Sequence, residues 1–158
     1  MTPYKKQRFL GVLCGLLAMG AVTAAGEEDG GSLRVTVDSV GGSTAPLRVC
    51  LFTSPEGFPA EANRAFRCFF CVPENSSAAM VFKGVPWGPV AISVYQDLNR
   101  NGILDTGFLG IPKEPVGVGP GDTTKTYGKP RFKNAQFNFE KSDTAVNIKL
   151  KDPRKQEP

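Results

Sequence analysis

From Ser32 onward, apolar and polar residues alternate in short runs rich in Val, Phe, Ile and Thr, cut by clusters of Gly, Pro, Ser and Asn. No apolar repeat of helical period persists long enough to build a helix of any size, so the pattern predicts an all-β chain. Strands are expected at Ser32 to Val40, Leu47 to Thr53, Phe66 to Val72, Ala78 to Lys83, Gly88 to Tyr95, Ala135 to Phe139 and Ala145 to Leu150, with one helical turn at Glu61 to Ala65. About seven short strands at these spacings match an antiparallel two-sheet sandwich, in which each strand turns alternate residues to a shared core. Leu33, Val35 and Val37 then face inward on the first strand, and Val90, Ile92 and Val94 on the fifth. Pro86-Trp87-Gly88-Pro89 reads as the hairpin turn between the fourth and fifth.

Between the fifth and sixth strands about 38 residues, Gln96 to Asn134, carry no convincing strand or helix, and loops of that length in compact domains are usually functional or disordered. Gly107 to Pro130 holds ten Gly or Pro in twenty-four residues. The interleaved Phe108, Leu109, Ile111, Val116 and Val118 argue against a plain linker, which has no reason to be so apolar. The loop is therefore expected to fold over one end of the sandwich, pinned by those side chains. Its candidate contact residues are Phe108, Ile111, Lys125, Tyr127, Lys129 and Arg131. The basic run from Lys125 to Lys133 reads first as a solvated loop, with contact to an anionic surface the lesser reading.

The loop opens with Asp97-Leu98-Asn99-Arg100-Asn101-Gly102-Ile103-Leu104-Asp105. Oxygen-bearing side chains at positions 1, 3, 5 and 9 around a glycine at position 6 follow the spacing by which a calcium loop wraps one hard cation. Asp97, Asn99, Asn101 and Asp105 would each offer an oxygen, and Ile103 its backbone carbonyl. The bidentate Glu of position 12 is missing, since Phe108 stands there; Glu114, between Pro112 and Pro115, would have to fold back to replace it. With so few carboxylates, binding is expected near the weak extracellular range of about 10⁻⁴ to 10⁻³ M. The rival reading is a metal-free turn, in which Asn and Asp bond to the backbone and Gly102 supplies a positive φ.

These residues carry a resemblance. Asp97-x-Asn99-x-Asn101-Gly102-x-Leu104-Asp105-Thr106-x-Phe108-x-Gly110-Ile111-Pro112-Lys113-Glu114-Pro115-x-Gly117 resembles the signature of a bacterial secreted family known as domain of unknown function 2141. Leu51 to Pro59, Ala65-Phe66-Arg67 and Phe132 to Phe137 are similar to it as well, so the likeness covers about Leu33 to Leu150. The resemblance implies an exported β-sandwich of the immunoglobulin-like or transthyretin-like kind, in a bacterial source. It implies no activity.

Cys50, Cys68 and Cys71 are not expected of that family and are read on their own. In an oxidising compartment an available pair is expected to close. Within one strand Cys68 and Cys71 would lie about 10 Å apart on opposite faces, beyond the roughly 7 Å reach of a disulfide. Alternation puts Leu47, Val49 and Leu51 inward and Cys50 outward; reading Phe66, Cys68 and Phe70 as inward puts Cys71 outward. The expected bridge is Cys50 to Cys71, with Cys68 a buried thiol.

Lys5, Lys6 and Arg8 precede an apolar run from Phe9 to Ala18 and small residues to Ala25, the layout of a cleaved secretory signal over residues 1–25. A flexible segment at 26–31, the β-domain at 32–151 and a disordered tail at 152–158 complete the expected organisation. Cys14 lacks the context of lipoprotein processing, so no stable membrane anchor is expected after cleavage. Without the signal, sixteen Lys and Arg face fifteen Asp and Glu, a net charge of +1, which offers no concentrated cationic face for nucleic acid.

The chain has no histidine, which removes the imidazole base and the His-ligated zinc or haem. A hydrolase would have to draw on Asp97, Asp105 and Glu114, but carboxylates interleaved with Asn and Gly more often bind a cation or cap turns. The leading expectation is an exported, non-catalytic binding or accessory module for an unidentified envelope or extracellular partner, with calcium as its one candidate cofactor. The alternative is a structural envelope protein in which the acidic loop is a metal-free turn.

Overall fold

The computed structural model describes residues 30–39, 42–120 and 129–155. The expected signal segment, Lys125 and Tyr127 lie outside them. Among the described residues eight strands are present: β1 (Gly31–Asp38), β2 (Leu47–Phe52), β3 (Arg67–Cys71), β4 (Ser77–Val85), β5 (Gly88–Gln96), β6 (Val116–Gly119), β7 (Phe137–Phe139) and β8 (Thr144–Lys149). They form the two sheets that the alternation predicts, one of three strands in the order β4-β1-β8, the other of five, β3-β2-β5-β6 with β7 also on β5. A 3₁₀ turn at Ala62–Arg64 stands where one helical turn is expected, and a four-residue helix α1 (Phe132–Ala135) precedes β7. Among the described residues no helix is long and apolar enough to cross a membrane.

The core lies between the sheets. Leu33, Val35 and Val37 of β1 meet Leu47, Val49 and Leu51 of β2 and Val90, Ile92 and Val94 of β5, with Phe82, Phe139 and Ile148 filling between them. All of these are buried, as period-two alternation with one face inward requires. At roughly 1.5–3 kcal/mol for each fully buried Val, Leu, Ile or Phe, this cluster is the main source of the fold's stability. A second apolar cluster sits on the opposite face of the five-stranded sheet. There Cys50, Phe52 and Ala91 are covered by Phe58 and by Phe132 and Ala135 of α1, with ring centroids 5.3 Å apart for Phe52 and Phe58 and 5.8 Å for Phe58 and Phe132.

Three expectations are corrected. Pro86-Trp87 is no hairpin, because β4 pairs with β1 in one sheet and β5 with β2 in the other, so this dipeptide carries the chain across the sandwich. Trp87 stacks on Phe139 at 5.1 Å, and a Cβ on Gly31 would come within 2.7 Å of the indole, so only glycine admits this packing. The sheets are not wholly antiparallel: β8 pairs with β1 in parallel, Leu33 opposite Thr144 through Asp38 opposite Lys149. The long loop also holds a strand, β6, whose Val-Gly-Val-Gly sequence lacks the usual β pattern. Gly117 is needed there, since a Cβ would lie 2.7 Å from the Lys149 carbonyl oxygen.

The disulfide is the fourth correction. Cys50 pairs with Cys68, not Cys71, with 4.1 Å between the Cα atoms. In the β2–β3 ladder Cys50 stands directly opposite Cys68 and Leu47 opposite Cys71, and directly opposed residues point to the same face. The mistaken step is the inward face of β3. Phe69 and Cys71 pack on the main core, while Phe70 stays outside on an edge strand. Cys71 is a half-buried free thiol, pushed up in pKa by that burial.

Candidate functional site

The chain leaves β5 at Gln96, whose N–H donates to the Pro115 carbonyl, and Asp97 N–H donates to the Pro46 carbonyl. Both ends of the segment 97–115 are therefore tied to the sheet. Asp97, 2 % exposed, aims its carboxylate back into the turn: Oδ1 accepts from Asn101 N at 3.1 Å and Oδ2 from Gly102 N at 2.7 Å. Asn99 Oδ1 also accepts from Asn101 N, and Asn101 Oδ1 from Ile103 N at 2.9 Å. These are the local side-chain-to-backbone bonds by which Asn and Asp build turns. Gly102 adopts φ +80° with open space around a built Cβ, so its glycine is required by conformation rather than by crowding.

Glu114, 4 % exposed, folds back across this turn. Its Oε1 accepts from Leu98 N at 2.7 Å and its Oε2 from Asp105 N at 3.1 Å. Asp105 in turn receives the amide groups of Asn99 and Asn101. Asp97, Asn99, Asn101, Asp105 and Glu114 thus come together in one network, which Ile103 enters through its N–H. The oxygens of Asp97 and Glu114 are engaged by backbone donors, and both Asn side chains turn nitrogen, not oxygen, toward Asp105. Among the described residues no three Asp, Glu or Cys side chains converge as metal ligands. A hard cation here would need the Asn amides to rotate and present oxygen.

The turn is also clasped to the sheet beneath. Tyr95 Oη donates to the Gly102 carbonyl at 2.9 Å, and Arg48 Nη1 reaches the same oxygen at 3.4 Å. Arg48 lies over the Phe70 ring, 5.1 Å from its centroid. Burial pushes the Tyr95 phenol up in pKa, an effect that Arg48 beside it partly offsets. Neither Arg48 nor Tyr95 is marked by the local sequence, because their roles arise from strand register.

Beyond the turn, Thr106 bridges Pro112, Gly107 N donates to the Ile111 carbonyl at 2.7 Å, and Gly110 N donates to the Gly107 carbonyl at 3.2 Å. This small closed projection carries Phe108 at 88 % and Leu109 at 82 % exposure, with Ile111 exposed beside them. Leu109 adopts φ +63°, a conformation rarely taken by a branched side chain outside a constrained turn. Lys129 and Arg131 are exposed, Arg131 immediately before α1. Among the described residues neither bonds to the projection or to the Asp97 network.

The sequence profile of an uncharacterized protein family conserved in bacteria, DUF2141, matches residues 35–147. The chain belongs to this family. The matched stretch of DUF2141 spans β1 through the middle of β8 and encloses the entire Asp97–Glu114 network. No curated protein and no solved structure matches the chain.

Proposed function

We propose that this chain is an exported, non-catalytic binding or accessory module whose contact surface is the projection 107–111. The observation that carries this reading is the exposure of Phe108 and Leu109 on a turn closed by two backbone hydrogen bonds, from Gly107 N to the Ile111 carbonyl and from Gly110 N to the Gly107 carbonyl. Exposing large apolar side chains forgoes about 1.5–3 kcal/mol of burial each, and a stiff mount lowers the entropy lost when a partner covers them. The Asp97–Glu114 network acts as the clasp that holds the mount. A hydrolytic role fits poorly, because Asp97 and Glu114 are buried with their oxygens facing backbone donors instead of a substrate. Pull-down from a bacterial envelope extract, comparing wild type with Phe108→Ser/Leu109→Ser, tests the reading. Capture should disappear in the variant at an unchanged melting temperature; equal capture by both proteins overturns the assignment.

Calcium is a second reading, favoured by one observation: the oxygen-bearing side chains at calcium spacing do share a network. Its test is calorimetric titration of calcium with thermal melts on wild type and Asp97→Ala. A bound ion at tenfold excess over Kd should add about 1.4 kcal/mol to the unfolding free energy. No heat and no shift at about 10 mM, above the weak extracellular range, leaves the hydrogen-bonded turn as the whole account.

A further inference from the structure

The charged side chains of residues 97–115 are sorted by depth. Three are acidic, Asp97, Asp105 and Glu114, and two basic, Arg100 and Lys113. Asp97 and Glu114 are buried against backbone N–H groups, and Asp105 is half-buried under the amides of Asn99 and Asn101. Of the five, only the two cations are exposed, and among the described residues neither forms an ion pair. A loop that is acidic in sequence therefore shows solvent a cationic surface. Lys113 stands at the root of the projection, since a Cβ on Gly107 would lie 3.5 Å from its Cε. The apolar tip is convex: Phe108, Leu109 and Ile111 are exposed on a closed turn, and Ile103 is exposed on the same loop.

We infer that the projection 107–111 dips into the headgroup layer of an anionic lipid bilayer, with Lys113 and Arg100 drawn to the lipid phosphates. The inference rests on the reading of that projection as the contact surface and names what it contacts. Apolar side chains at the boundary between headgroups and acyl chains gain burial without a shaped pocket to receive them. Cations beside an anionic surface add attraction that fades within a Debye length, and carboxylates at the same depth would subtract from it. The loop meets both conditions by exposing its cations and withdrawing its acids. A protein partner fits less well, because protein interfaces carry regular hydrogen bonds and the Phe108, Leu109 and Ile111 side chains offer none to set an orientation. A fluid bilayer demands no such register. Three apolar side chains and two cations give a reversible contact, short of an anchor.

The probe is a vesicle of phosphatidylethanolamine and phosphatidylglycerol, set against one of phosphatidylcholine alone. The protein is made from the full chain in a bacterial host and purified in the form found there. Flotation with the anionic vesicles is expected, weakened about a hundredfold by Phe108→Ser/Leu109→Ser and about fivefold by either Arg100→Gln or Lys113→Gln, at unchanged melting temperature. Phe108→Trp supplies a local reading that is independent of the apolar run Phe9 to Ala18: its fluorescence should be quenched by lipids brominated on the acyl chain. Wild type, whose one tryptophan is Trp87, gives the background. Equal binding to phosphatidylcholine, no added quenching in Phe108→Trp, or flotation untouched by the double serine variant overturns the inference. If vesicles are ignored while that variant loses a protein captured from envelope extract, the projection remains the contact surface and only the lipid assignment falls. If neither vesicle nor extract responds to the variant, both readings fall.

Discussion

Glu114 reaches sixteen residues back along the chain to accept the Leu98 N–H at 2.7 Å, and its second oxygen accepts from Asp105. One side chain thus closes the loop that the acidic motif opens. Glu114→Ala should remove both acceptors and leave two N–H groups in a buried setting, costing about 3 kcal/mol. Urea denaturation gives the magnitude, and amide exchange should accelerate at Leu98 and Asp105 before it does so in β5. Unchanged exchange at both amides would show that the loop is held by other means.

Gly102→Ala isolates conformation from crowding. The added methyl has open space, so only the φ of +80° opposes it, and the expected loss is about 1–2 kcal/mol. A loss of that size with Tyr95 still donating to residue 102 supports the turn as described; no loss means that the turn relaxes readily to another geometry.

Peptide mapping without reduction should recover Cys50 joined to Cys68, with Cys71 alkylated only slowly while the protein is folded. Replacing Cys50 and Cys68 together by Ala should lower stability by about 3 kcal/mol, the scale for a loop of eighteen residues. Cys71→Ala should instead cost only what its half-buried contact with the core supplies. A map showing Cys71 bridged would reverse the assignment of faces on β3.

Asp152 connects the last described segment to pH. Hydrogen bonds from Arg154, at 2.8 Å from both Nε and Nη2, hold its carboxyl below the usual carboxylate range. A folded pKa below the unfolded value of about 3.9 means that the contribution is present above that value and is lost as pH falls through the lowered folded value. Asp152→Asn should therefore lose stability at neutral pH and converge with wild type in strong acid. Urea midpoints from about pH 6 down to about pH 2 check the sign; a constant gap at every pH would remove the carboxylate from the account.

Alternation was legible wherever a strand has one face in the core: Leu33, Val35 and Val37 of β1 and Val90, Ile92 and Val94 of β5 face inward as the period requires. It misled on β3, an edge strand where aromatic side chains need not be core and where the register sets Phe70 beside Arg48 on the outer face. It was silent on β6, where glycine is demanded by a neighbouring carbonyl that no local pattern reveals. The oxygen spacing from Asp97 marked the loop as special. It did not say whether those oxygens meet an ion or backbone donors, since both uses favour the same residue types. Arg48 and Tyr95 could not be read at all, because a row across three strands exists only once the register is set.

The parallel pairing of β1 with β8 has a consequence for the order of events in folding. β1 finds β4 as soon as the chain reaches Val85, but its other edge must wait for Thr144 to Lys149, more than a hundred residues after it. A chain emerging from its amino end holds an open row of backbone donors and acceptors until its last strand arrives. Closure of so distant a contact is slow, and an open edge is a template for pairing between molecules. A fragment cut before Thr144 should therefore fail by self-association rather than by simple loss of structure, making β8 the seal on a domain whose Asp97–Glu114 loop lies elsewhere.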